Sequence, residues 1–360
     1  MPFEKGSVSL RVFKSMTGSI SPHDMVEKFA SHPIPSIDMI PASGCDGWAT
    51  SRHLLDNNIT DDSAIVAGKV RLSLVSAEKK IPGALFKTEC KLEELALMEA
   101  RGVNFISRSE RKEIAQSIKE RMLPDMPPSL AGIDMVTTAD GCYSAAISDS
   151  QMDFFTVSWN KALGTMAMAY TPTLAAKMLC NFDVLALNAT SFSPEVLDSY
   201  VDQDIGTEFL TWLWYFSENC SGVHGEFAFM LDGPFTFVHE GEGAHEIIIR
   251  KGNPGISQEA KSALMAGKKL KKAKLTVVRD QEEWTCLIDS SWAFNSLKLP
   301  KTEPLDPVSL FEERIGSINT FVEAIEDVFK RFMDIRTDEL KWKEEVTFIK
   351  QWVAGKASKV

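Results

Sequence analysis

The sequence predicts an α+β fold: mixed, mostly antiparallel sheets flanked by helices, with a helical C-terminal tail. Three observations predict it. Short apolar runs of period two recur along the chain, turn residues separate them, and the last segment carries two charged amphipathic helix patterns. A doubly wound nucleotide fold would need regular βαβ alternation and a glycine fingerprint, and neither GxGxxG nor GxxxxGK[ST] is present.

Residues 7–13 open with a strand, because Val8, Leu10 and Val12 alternate. A turn-rich stretch through Pro33, Pro35, Pro41, Gly44 and Gly47 follows, then a long β-rich run over 65–76 that ends on Glu78, Lys79 and Lys80. Leu85, Leu92, Leu95 and Met98 mark a helix over 85–101, stopped at Gly102. Ser107 with Glu110 three residues on is a capping box, and it starts a second helix that Pro124 ends. Strands over 133–138 and 142–147 flank the turn Ala139-Asp140-Gly141. A helix over 152–163, a strand over 166–170 and an apolar helix over 208–218 come next. Strands over 226–230 and 235–239 bracket Asp232-Gly233, and 245–250 is a third. A helix over 258–266 stops at Gly267, three more strand candidates reach Leu299, and helices over 308–335 and 340–353 close the chain. By length alone the chain allows two or three lobes. The elements read as one body over 1–304, completed by the helical segment 305–360.

Of the 360 residues 44% are hydrophobic and 25% charged, which excludes disordered and fibrous classes. Six scattered cysteines make neither a metal knuckle nor a disulfide framework. No apolar leader or membrane-length segment is evident, so a reducing cytoplasmic protein with no membrane partner is expected. The net charge of -11 argues against a protein coated in nucleic acid, yet the charges are segregated. The windows 66–122 and 251–280 carry +4 and +6, so the other 273 residues carry -21. At 100° per residue Arg108, Lys112 and Lys119 share one helix face. The run GKKLKKAKL places Lys268, Lys269, Lys271, Lys272 and Lys274 just past a helix stop; if extended, it divides them between two faces. Either a polyanion surface or a solvated loop explains that run.

Other candidate chemistry is thinner. His239 and His245 flank a Gly- and Glu-rich segment, but their spacing of six fits a loop and not the i, i+4 helix of HExxH. Glu89-Cys90-Lys91 has the form of a nuclease E-x-K triplet, set within a helix pattern without an upstream Asp on a paired strand. Trp212, Trp214 and Tyr215 read as core of an all-round apolar helix before they read as base-stacking residues. No nucleophile elbow is present, and no enzyme activity, metal or cofactor is expected.

The run from Val70 to Lys87, the helix from Ser107 that ends in Met122-Leu-Pro, and Gly132-Ile-Asp-Met, taken in that order, resemble the RdgC family of recombination-associated proteins. The run Val70-Arg-Leu-Ser-Leu-Val-Ser-Ala-Glu-Lys-Lys-Ile-Pro-Gly-Ala-Leu-Phe-Lys is similar to the family's strand, charged turn and helix. Ser107-Arg-Ser-Glu-Arg-Lys-Glu-Ile, ending in Met122-Leu-Pro, is similar to its charged helix closing on Leu-Leu-Pro. Gly132-Ile-Asp-Met, Lys161-Ala-Leu-Gly, Met265-Ala-Gly-Lys and Phe294-Asn-Ser-Leu-Lys-Leu follow in the family's order, and near the start Gly44-Cys-Asp-Gly-Trp sits where the family has a Gly-Trp. The resemblance covers most of 3–329 and marks a distant branch. Family members commonly read Leu-Pro-Arg-Ala-Phe where this chain has Leu123-Pro-Asp125-Met126-Pro127, and 203–243 is an insertion or divergent replacement.

The resemblance implies a homodimer closed into a ring around double-stranded DNA, bound without sequence preference. It further implies a nucleoid-associated role that restrains RecA access to DNA. On this reading the phosphate contacts would come from Lys69, Arg71, Lys79, Lys80, Lys87, Arg108, Lys112, Lys119, Arg250, Lys251, Lys268, Lys269, Lys271 and Lys272. An exonuclease or other DNA-processing enzyme, and an interaction protein that has lost DNA binding, stand as alternatives.

Overall fold

The computed structural model describes residues 3–16, 20–198, 203–239, 246–250, 258–302 and 306–355. After strand β1 (Val8–Ser15) comes α1 (Pro22–Ala30), a helix in a segment to which the sequence assigned no element. Ser21 caps it by accepting from the Asp24 backbone N–H, and Pro22 occupies the first turn, where its missing donor is harmless. β2 (Cys45–Thr50) runs through the stretch expected to be turns. Gly47 permits this, since a Cβ there would lie 2.6 Å from the Pro33 carbonyl oxygen.

α2 (Asp61–Ala64) leads into β3 (Ile65–Val66) and β4 (Lys69–Lys79). The expected single run over 65–76 is thus a hairpin, because Ala67 and Gly68 both take the positive φ that a tight two-residue turn requires. α3 (Gly83–Arg101) ends at Gly102 with φ 65°, and α4 (Arg108–Met122) starts on the reciprocal Ser107–Glu110 capping box, both as expected. β5 (Pro128–Thr137), β6 (Gly141–Ser144), α5 (Asp149–Leu163) and β7 (Ala167–Ala169) also match expectation. α6 (Pro172–Cys180), capped by Thr171, was not foreseen.

α7 (Ile205–Asn219) is the apolar helix, followed by β8 (Val223–His224), β9 (Phe227–Val238) and β10 (Glu246–Ile249). β9 corrects the expected turn at Asp232-Gly233: the strand runs straight through. The two residues Gly233 and Pro234 are accommodated as a register shift against its neighbour, which is how a strand admits a proline. α8 (Gln258–Met265), β11 (Lys269–Arg279), β12 (Glu282–Asp289), β13 (Phe294–Lys298), α9 (Pro307–Arg336) and α10 (Glu339–Val353) complete the chain.

These elements form two units. The first comprises Met1–Ser19, Val136–Thr156 and Thr165–Val360; the second comprises Ile20–Met135 and Val157–Gly164. The first unit holds a large antiparallel sheet in the order β10-β9-β11-β12-β13-β1-β6, with β7 paired to β1 and β8 to β9. Its core is aromatic. Every residue of α7 from Ile205 to Phe216 is buried, and Gly206 lets the helix touch the chain just past Asp289, since a Cβ there would sit 1.9 Å from the Ser290 carbonyl oxygen. Phe209 meets Phe329 edge-on at 5.2 Å, Trp212 stacks on Phe216 at 5.1 Å, and Trp214 meets Trp352 of α10 at 4.7 Å.

In the second unit β2 and β4 pair antiparallel around Ile34, Ile40, Ala49, Val75 and Ala77. Phe29 packs on Trp48 at 4.4 Å and on Trp159 at 5.8 Å. α3, by contrast, has no fully buried residue. No helix among the described residues is long and apolar enough to cross a membrane.

Candidate nucleic-acid interface

In the second unit α3 and α4 are joined by ion pairs between their facing sides. Arg121 reaches Glu89 at 3.3 Å and Glu93 at 3.9 Å, Arg111 reaches Glu94 at 3.8 Å, and Arg101 pairs with Glu110. Lys91 lies 3.6 Å from Glu94. These pairs divide the basic residues of the hairpin into two sets. Arg101, Arg111, Arg121 and Lys91 are committed to carboxylates; Lys87, Arg108, Lys112 and Lys119 are exposed and make no ion pair among the described residues. The α4 set is the face that helical spacing picks out. Glu89, the first residue of the E-x-K triplet, serves the hairpin through Arg121.

Where β4 ends, Lys79, Lys80 and Lys119 line a groove of about 640 Å³ together with Phe86 and Leu123. Lys79 donates to the Pro124 carbonyl at 2.6 Å, which ties the strand end to the end of α4, and Lys80 pairs with Glu78 at 2.5 Å. Lys69 and Arg71 lie earlier on β4, both half-buried; Arg71 donates to the Ser51 carbonyl at 3.4 Å. Glu110 is held down to about 2 by the Ser107 hydroxyl and backbone N–H and then by Arg101, so it stays ionised and leaves Arg101 no spare charge.

In the first unit the lysine run does not behave as a simple strand. β11 bulges between Leu270 and Lys272 against β9, so Lys271 leaves the alternation and both Lys271 and Lys272 reach solvent. Lys269 corrects the expectation of a phosphate contact. Its side chain is 8% exposed and its ammonium lies 3.4 Å from Glu208 of α7, itself fully buried. Arg336 completes the cluster at 2.8 Å from Glu208. A lysine desolvated beside a carboxylate is part of the core and not a surface charge. Lys268 is half-buried, Arg250 is exposed beyond β10, and Lys251 lies outside the described residues, as does 240–245 between the two histidines.

Sequence reasoning missed Glu208 and Arg336, which are 128 positions apart and share no local motif. The available signal was Glu208 itself, a lone ionisable residue on the buried face of an all-round apolar helix. Trp212 and Trp214 are both fully buried, as their setting suggested. No group of three or more metal-ligating side chains occurs among the described residues. No protein-family model matches this chain, and no curated protein matches it in sequence.

Proposed function

We propose that the chain binds double-stranded DNA through its phosphates, without reading sequence, as a dimer of the RdgC type, and that it limits RecA access to DNA by occupancy and not by catalysis. The observation that carries this reading is the sorting of charge on the α3–α4 hairpin. Four cations are consumed by carboxylates, while Arg108, Lys112 and Lys119 are left on one exposed face, with Lys119 also lining the groove of Lys79 and Lys80. Unpaired cations in a chain of net charge -11 suit a surface that holds a polyanion while the rest repels it. In the second unit the phosphate contacts would come from Lys87, Arg108, Lys112 and Lys119, with Lys79 and Lys80 of the groove exchanging Pro124 and Glu78 for phosphate; in the first unit Lys271 and Lys272 would supply a contact of their own. A cytoplasmic, nucleoid-associated location belongs to the same proposal.

The test is fluorescence anisotropy with two duplexes of equal length and unrelated sequence, in wild type and in R108A/K112A/K119A. Equal affinity for both duplexes and a parallel loss in the variant are expected. Absence of binding at low salt would leave an interaction protein, and divalent-metal-dependent loss of end-labelled duplex would favour the nuclease alternative.

A further inference from the structure

Glu208 is fully buried and is shared by two cations. Its Oε2 accepts from Arg336 Nε at 2.8 Å, and its Oε1 accepts from Lys269 Nζ at 3.4 Å and from the Thr190 backbone N–H at 3.3 Å. The Arg336 side chain is 5% exposed. It donates through Nη2 to the Asn188 carbonyl at 2.6 Å and lies over the Trp342 ring at 4.8 Å. Its Nη1 makes no hydrogen bond among the described residues and is not among their buried orphan donors, which suits a group that lines a cavity.

Arg336 lines a cavity of about 600 Å³ between the 182–190 loop, α10 and the end of α9. Phe182, Leu187 and Val346 supply apolar wall, and Trp342, 7% exposed with Arg336 over its ring, closes the cavity beside them. Thr190 accepts from Trp342 Nε1 at 3.0 Å, so its own hydroxyl hydrogen remains to donate. Lys343 and Lys350 also line the cavity, against Asp198 and Glu339. With Lys269 and Glu208 behind it, the site holds four cations and three carboxylates.

We propose that this cavity binds the oxyanion group, phosphate monoester or carboxylate, of a small molecule with a planar apolar body. Arg336 presents the oxyanion with an unused, rigid donor edge, fixed from behind by Glu208 and Asn188 so that little ordering accompanies binding. The excess positive charge favours an anion over a neutral ligand, and Phe182, Leu187 and Val346 receive the apolar body. The site is independent of the DNA-binding reading.

The experiment follows the Trp342 indole N–H signal in the full-length ¹⁵N-labelled protein, assigned by W342F. Phenyl phosphate, benzoate and neutral benzyl alcohol are titrated at constant ionic strength set with sodium chloride. A saturable shift with phenyl phosphate or benzoate but not with benzyl alcohol is expected, and the tighter of the two names the class. R336K keeps a cation beside Glu208 but removes the fork, and is expected to weaken binding about tenfold or more. T347W, at an exposed position on the cavity wall, keeps the buried cluster and should abolish the shift by filling the space. Non-saturating shifts, equal shifts with benzyl alcohol, or undiminished affinity in folded R336K and T347W would each overturn the proposal.

Discussion

Glu208 shows how one side chain can govern a core without belonging to its apolar packing. It sits on α7 among Phe209, Trp212 and Phe216, yet it is the acceptor for Arg336, Lys269 and the Thr190 backbone. Replacing it with glutamine keeps the volume but leaves two buried cations facing a neutral amide. Removing one member of a buried charge cluster costs about 3–5 kcal/mol. E208Q is therefore expected to lower the free energy of unfolding by that amount, seen as a lower denaturant midpoint at unchanged m-value, and a change within experimental error would show the cluster to be solvated. Glu110, half-buried, illustrates a carboxylate nearer the surface. Its folded-state pKa is held to about 2, below the ordinary 4.5, by Ser107 and then Arg101. A depressed carboxylate contributes stability above its unfolded pKa and loses it as pH falls through the folded one. The α4 first turn should therefore fray between pH 4.5 and about 2, as read by backbone chemical shifts of residues 107–111. E110Q, which can still accept and does not titrate there, should remove that pH dependence.

At the scale of elements, the α3–α4 hairpin is where charge and geometry meet. If Arg108, Lys112 and Lys119 each neutralise a phosphate, the slope of log K against log salt should fall by about 0.9 per residue removed, roughly 2.7 for R108A/K112A/K119A. Folding should be nearly unaffected, since the three are exposed. An unchanged slope in a folded variant would make this face a solvated surface.

The hairpin was legible in the sequence because its signals are local: a glycine stop, a capping box and a basic stripe at helical spacing. The ion pairs that sort its cations were not, because Arg121 and Glu89 are 32 positions apart. The same limit explains other departures. β2 lies in a Pro- and Gly-rich stretch whose local propensity favours turns, and pairing with β4, with Gly47 close against Pro33, overrides it. β9 reads as two strands because Asp232-Gly233 has the form of a turn, and pairing with β11 on both sides of that dipeptide carries the strand through. Lys269 looked like its neighbours in the run, and burial against α7 set it apart.

At the scale of the whole molecule, the proposed dimer requires an apolar surface that one chain leaves uncovered. The α3 stripe provides a candidate. Leu85, Leu92 and Leu95 have the spacing of a core-facing stripe, yet they are 40%, 62% and 49% exposed, and Phe105 beyond the helix is 72% exposed. Full burial of a leucine stabilises by about 1.5–3 kcal/mol, and in a two-fold interface each substitution counts twice. If α3 forms part of that interface, light scattering at micromolar concentration should give twice the 40.0 kDa chain mass for the wild type and a single chain mass for L92E/L95E. The doubled variant places charges where the stripe would be buried, so it should separate the subunits while leaving each chain's core intact. It should also lower apparent DNA affinity, because a dimer engages twice the phosphates of one chain and their counterion release is lost together. A wild type that scatters as a single chain at these concentrations would remove the dimer from the proposed function, and a variant that remains double would move the interface away from α3.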